Sequence, residues 1–210
     1  NPKHKSVQKA DFLTQAIKGV DFVTLSNPPF GRNNALSIPF FNHAAGFSSH
    51  IAFLVPRSWR KWSVQNRLDL NFHLIHDQEV NLIYENELGE PLAKANELRT
   101  CFQIWEKKQN KREKVVVPDN GFLEKTTPEN ADVAMRVFGY GCGQVLDNFE
   151  PKPNTTLMFL KLNSGVTISL LRDLDFDRFR NNTAYTQALS FQEINYLLNE
   201  KLLGDGLAKK

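Results

Sequence analysis

In the first half of the chain, apolar residues fall in short continuous runs. Val20 to Leu25 and His50 to Pro56 are apolar and largely β-branched or aromatic, the pattern of strands covered on both sheet faces. Between them Ile38, Phe40, Phe41, Ala44 and Ala45 recur at helical spacing with Pro39 in the first turn, which predicts a helix packed on the sheet. A short helical turn at 14–17 precedes these elements, and Ser63 to Leu70 predicts a further helix. Phe72 to Ile75 and Asn81 to Tyr84 are short apolar runs, and Thr100 to Trp105 alternates as a strand does. This alternation predicts an α/β domain over residues 1–117, built on a mostly parallel sheet with helical crossovers.

The second half has a different texture. Pro118, Gly121 and Pro128 punctuate a polar stretch that reads as a boundary, so residues 118–210 form a separate, smaller α+β region. Ala134 to Phe138 and Thr156 to Leu162 predict strands. Gly139-Tyr140-Gly141-Cys142-Gly143 lies between them. It is a weak phosphate-loop signal, since no helix start follows it, and a tight structural bend is the competing reading. Val166 to Asp173 and Ser190 to Lys201 predict helices, the latter with Ser190 and Glu193 at capping-box spacing. The tail from Gly204 onward is expected to fray.

Composition narrows the class without choosing a function. A chain of 210 residues with 41% hydrophobic and 23% charged residues is that of an ordinary soluble globular protein. No apolar run approaches a membrane span, so no membrane partner is expected. Cys101 and Cys142 are too few for a disulfide framework and have no metal-ligand company, which suggests a reduced cytoplasmic setting and no metal. A net charge of +3 permits a nucleic-acid partner without requiring one.

The candidate chemistry sits where the first predicted strand ends, at Asn27-Pro28-Pro29-Phe30-Gly31. Adjacent prolines cannot continue a sheet, so the strand must run into a stiff loop, and ligands of open α/β sheets bind beyond the carboxyl ends of strands. This loop resembles the Asn-Pro-Pro-Phe/Tyr loop of S-adenosylmethionine-dependent methyltransferases that act on adenine N6. The strand followed by Pro56-Arg57-Ser58-Trp59, the Phe102-Gln103-Ile104-Trp105 strand and the Asn181-Asn182-Thr183-Ala184 loop are similar to bacterial and phage members of that group.

The resemblance implies a Rossmann-like class I methyltransferase sheet, with residues 118–210 placed where such enzymes carry target recognition, and a defined set of roles. The Asn27 carboxamide and the Pro28 carbonyl would accept the two N–H bonds of the target amine, Pro29 would stiffen the turn, and Phe30 would stack on the flipped base. Asp11 and Phe12 would face the cofactor's adenine, although Asp11 reads equally well as a helix N-cap. The implied partner is nucleic acid, DNA favoured over RNA, running past Arg32, Arg57, Trp59, Arg60 and Lys61. Trp59 and Trp62 read equally as core, and the basic run from Lys107 to Lys114 is either a solvated loop or the next candidate for phosphate contact. The glycine-rich turn that holds the cofactor's methionine end does not precede Asn27. The sheet is therefore expected to be N-terminally incomplete, with Asn1-Pro2-Lys3-His4 just after the second strand and a missing segment or partner chain completing the cofactor site. Two rivals share the loop, guanine-N2 methylation of RNA and methylation of a protein glutamine, and a third is a silent remnant serving as a nucleic-acid-binding or scaffold subunit.

Overall fold

The computed structural model describes residues 4, 6–86, 88–92, 97–163 and 165–210. The first three residues, to which a place after the second strand is assigned above, lie outside it. The chain divides into two compact units, Asn1–Lys114 and Val115–Lys210. The sequence suggests that boundary three residues later.

In the first unit, β1 (Phe22–Ser26), β2 (Ser48–Pro56), β3 (Phe72–Val80) and β4 (Thr100–Lys107) form one sheet in the order β1-β2-β4-β3. β1 and β2 are parallel neighbours, with Thr24 beside Ile51 and Ser26 beside Phe53. The expected mostly parallel sheet holds for β1 and β2 but not at β4, which inserts antiparallel between β2 and β3, so the sheet is mixed. Its clean alternation of buried and half-buried residues is the pattern of a strand with two different faces.

β1 also departs from expectation. It reads as buried and central, yet it is the outermost strand among the described residues, with Val23 68% and Leu25 73% exposed. Asn81 to Tyr84 forms no strand, and the helix expected over residues 63–70 is the short α2 (Trp62–Gln65).

α1 (Ser37–Ala44) covers one face of the sheet with Pro39 inside its first turn. Its Phe41 is fully buried and meets Phe53, Trp59, Phe72 and Trp105 edge-on, with centroid separations of 5.5 to 5.9 Å. That geometry sets the positive rim of each ring against the negative face of its neighbour.

The second unit pairs β5 (Leu123–Lys125), β8 (Leu157–Leu162), β6 (Val133–Arg136) and β7 (Val145–Leu146) in an antiparallel sheet. α3 (Ile168–Arg172), α4 (Asp177–Arg180) and α5 (Phe191–Leu203) complete it. α5 opens with the expected capping box and buries Ile194, Leu197 and Leu198. The tail is not frayed. Buried Asn199 donates to the carbonyls of Pro118 and Gly206, Asn120 donates to the Ala208 carbonyl, and the Lys210 N–H returns to the Asn120 side chain. No described helix is long and apolar enough to cross a membrane.

Two measurements test the core of the first unit. Phe41→Ala should cost about 3–5 kcal/mol of stability in calorimetry, since four aromatic partners cannot all close over the void. Burial pushes the Cys101 thiol up to about 12, from its ordinary 9.0. Between those values the unfolded thiol loses its proton while the folded one keeps it. Stability should therefore fall as the pH rises above about 9, and Cys101→Ser should flatten that part of the profile.

Candidate active site

The Asn27-Pro28-Pro29-Phe30 loop leaves the sheet at the carboxyl end of β1, beside the end of β2. Asn27 and Pro29 are exposed, Pro28 is buried and Phe30 is partly buried. Among the described residues, neither the Asn27 carboxamide nor the Pro28 carbonyl takes part in an internal hydrogen bond. The loop is held from its other end. The Phe30 carbonyl accepts the N–H groups of Leu36 and Ser37 at 3.3 and 3.4 Å, so it caps the start of α1. Gly31 makes this possible with φ 67°, where a Cβ would lie 2.8 Å from Leu36 Cγ and 3.0 Å from its amide nitrogen.

A second tie joins this loop to the one that follows β2. Asn33 and Asn34 both adopt positive φ, a region that asparagine tolerates better than most residues. Asn34 is buried and donates to the Ser58 hydroxyl at 3.1 Å. The Trp59 indole donates to Ser37 Oγ at 3.3 Å, and Ser37 in turn donates to the Asn34 carbonyl at 3.5 Å. The two strand-end loops are thus one polar assembly, as their positions after neighbouring strands imply.

The residues expected to line a nucleic-acid path are only partly available. Trp59 is 0% exposed and packs against Phe41 and Phe53, so it is core and cannot stack on a base. Arg60 grips Asp77 through Nε at 3.0 Å and Glu79 through Nη1 at 2.9 Å, and Arg57 reaches Glu79 at 2.8 Å. The hydrogen bonds to Asp77 hold the Arg60 guanidinium above the ordinary arginine range. These arginines are neutralised by two carboxylates of β3 and are not free for phosphates. Lys61 is partly buried, whereas Arg32 is exposed without an ion pair among the described residues.

The Lys107–Lys114 run belongs to the other end of the sheet. Lys107 lies level with Phe72, where β3 begins, while Asn27 follows the end of β1. Arg112 anchors the run by donating to the Phe72 carbonyl at 2.9 Å and stacking 5.6 Å from the Trp105 ring. It therefore cannot substitute for a rim beside Asn27. Asp11 caps its own turn, accepting the Leu13 N–H at 3.0 Å, and Phe12 packs on Phe40, His43 and Phe47.

The chain matches no protein-family model, no curated protein and no solved structure. Its candidate chemistry rests on its own geometry.

Sequence reading missed the polar ladder behind the site. Asp77 accepts from Gln103 Nε2 at 2.8 Å, and fully buried Gln103 accepts from the Trp105 indole at 3.2 Å. The available signal is the alternation of Asp77 and Glu79 in β3, which sets both on one face. Asp77→Ala should cost about 2–3 kcal/mol in urea denaturation, below the 3–5 typical of a fully buried pair because the partners keep some exposure. Asp77→Asn, which keeps the Gln103 contact through its amide oxygen, should cost less.

Proposed function

We propose that the chain carries the methyl-transfer loop of an adenine-N6 methyltransferase acting on nucleic acid, with DNA favoured over RNA. The observation that carries this reading is the pair of unclaimed acceptors, the Asn27 carboxamide and the Pro28 carbonyl, at the carboxyl end of a parallel strand. An exocyclic amine is a poor nucleophile because its lone pair is delocalised into the ring. Two acceptors that take its N–H bonds favour a pyramidal nitrogen whose lone pair is free to attack. Asn27 and Pro28 hold the amine, and Phe30 supports the base as a stacking surface. The capped start of α1 fixes the loop before substrate arrives, so little ordering is left for the reaction.

S-adenosylmethionine, the implied cofactor, supplies the methyl sulfonium when bound. The residues fit its adenine end in part. Asp11 uses Oδ1 in its cap and keeps Oδ2 for an amine, while Phe12 offers an apolar wall beside α1. Among the described residues, the only element ahead of β1 is the turn Phe12–Thr14, which has no phosphate- or carboxylate-binding glycine loop. A second reading, favoured by the use of Asp11 as the cap of its own turn and of Phe12 in packing against α1, has the loop retained by a nucleic-acid-binding subunit that does not transfer methyl groups unaided.

Incubation with S-adenosylmethionine and DNA, followed by mass spectrometry of the nucleosides, separates the two readings. N6-methyladenine is the expected product, and its complete absence selects the binding subunit. N2-methylguanine from RNA would replace the proposal. Where product forms, Asn27→Ala should lower the rate at least about tenfold, or ~1.4 kcal/mol of barrier. An undiminished rate would remove Asn27 from the mechanism.

A further inference from the structure

Asn120-Gly121 is the one Asn-Gly pair in the chain. An asparagine followed by glycine is open to attack by its own backbone, because glycine sets no Cβ beside the amide nitrogen that attacks. Gly121 is exposed, has φ 66° and has nothing within 4 Å of where a Cβ would stand. Steric hindrance gives this pair no protection, so any protection must come from hydrogen bonds.

The groups that would react are claimed while the segment 205–210 is docked. The Asn120 amide nitrogen donates to Asn199 Oδ1 and to the Ala208 carbonyl, both at 2.9 Å, and its oxygen accepts the Lys210 N–H at 2.8 Å. The Gly121 N–H donates to Asp119 Oδ1 at 3.0 Å. A carboxylate thus holds the proton that must leave before this nitrogen can attack.

Asn199 is oriented independently of Asn120. It is 1% exposed, and its amide nitrogen donates to the carbonyls of Pro118 and Gly206 at 3.0 and 3.2 Å. Only its Oδ1 is left to face Asn120, so position 120 must be a donor. A carboxylate there would meet Asn199 Oδ1 and the Ala208 carbonyl, oxygen against oxygen, with no proton to share.

We infer that Asn120-Gly121 is a self-modification site, held unreactive by the segment it latches and opened when that segment lifts. In the reaction the Gly121 nitrogen gives its proton to hydroxide and bonds to Asn120 Cγ. The Cγ–Nδ2 bond breaks, and ammonia leaves with a proton taken from water. Water then adds to either carbonyl carbon of the resulting succinimide ring, giving aspartate or isoaspartate. Either product lacks the two donors that held Asn199 and Ala208, and isoaspartate also routes the main chain through an extra carbon. The segment then has no latch. Lys210, which lies 5.1 Å over the Phe122 ring, and Gly206, which packs on Tyr196, withdraw from those rings. A transient opening is converted into a permanent one, since the ammonia is lost. The inference does not rest on methyl transfer or on nucleic-acid binding.

The test follows Asn120 in the full chain by peptide mass spectrometry during incubation in mildly alkaline buffer. Conversion should be at least about tenfold slower in the folded chain than in the same chain unfolded in urea. Gly206→Ala drives a Cβ into the Tyr196 ring, which lifts the segment without touching the reacting pair, and should convert faster than the unsubstituted chain. Asn120→Asp stands for the product. It should raise hydrogen exchange at the Ala208 and Lys210 amides, while exchange in β6 and β8 stays as it was. No conversion even in urea would overturn the reactivity of the pair, and equal rates in the folded and unfolded chain would overturn its protection. Unchanged exchange at Ala208 and Lys210 in Asn120→Asp would overturn the release, a result that holds whether or not Gly206→Ala folds.

Discussion

The candidate active site depends on the packing of one side chain. Phe41 touches residues from β2, β3, β4 and the turn after β2, and so fixes α1 on the sheet. Because the start of α1 is capped by the Phe30 carbonyl, whatever positions α1 also positions the Asn27–Phe30 loop. Apolar packing sets where the loop stands, and two hydrogen bonds together with the glycine at 31 set how it turns. The polar chemistry at the surface is thereby referred to a rigid interior.

Charge at the same rim is arranged for structure first. Asp77 and Glu79 draw Arg57 and Arg60 back onto the sheet, and Gln103 continues the contact to Trp105. Such a ladder holds two loops and two strands in register through groups that satisfy one another. It also leaves the rim far less positive than its composition suggests. The affinity of this unit for a polyanion therefore cannot be read from its arginine count.

Much of the first unit is legible in the sequence because its signals are local. A run such as Ile51 to Val55 has few alternatives to a strand, and Pro39 within an apolar helical pattern marks a first turn. The parallel pairing of β1 with β2 follows from the helix between them. The reversal of β4 is not local information, since it depends on which edges remain open once β2 is placed. Nothing in Val20 to Leu25 distinguishes an edge strand from a central one, because the exposure of Val23 and Leu25 is set by what lies beside the strand. For the site, Asn27 and Pro28 are recognisable from residue type and order, but the fate of Arg57, Trp59 and Arg60 depends on partners about twenty residues away or more in sequence. The meeting of Asn120 with Asn199 and Lys210 is equally invisible, since 79 and 90 residues separate them.

The insertion of β4 between β2 and β3 has a consequence for how the chain reaches this state. β2 and β3 follow one another closely yet do not pair, and the second neighbour of β2 and the described partner of β3 both come from a segment that begins at Thr100. Until that segment emerges during synthesis, β2 has an open edge toward β4's position and β3 has no partner strand at all. Pairings over such long separations close slowly, because the chain entropy of the intervening loop is lost before any ladder bond forms. Apolar strands with open edges are what holdase chaperones bind. The stretch of elongation between the emergence of β2 and that of β4 is thus the one in which the first unit is most open to edge pairing with other chains.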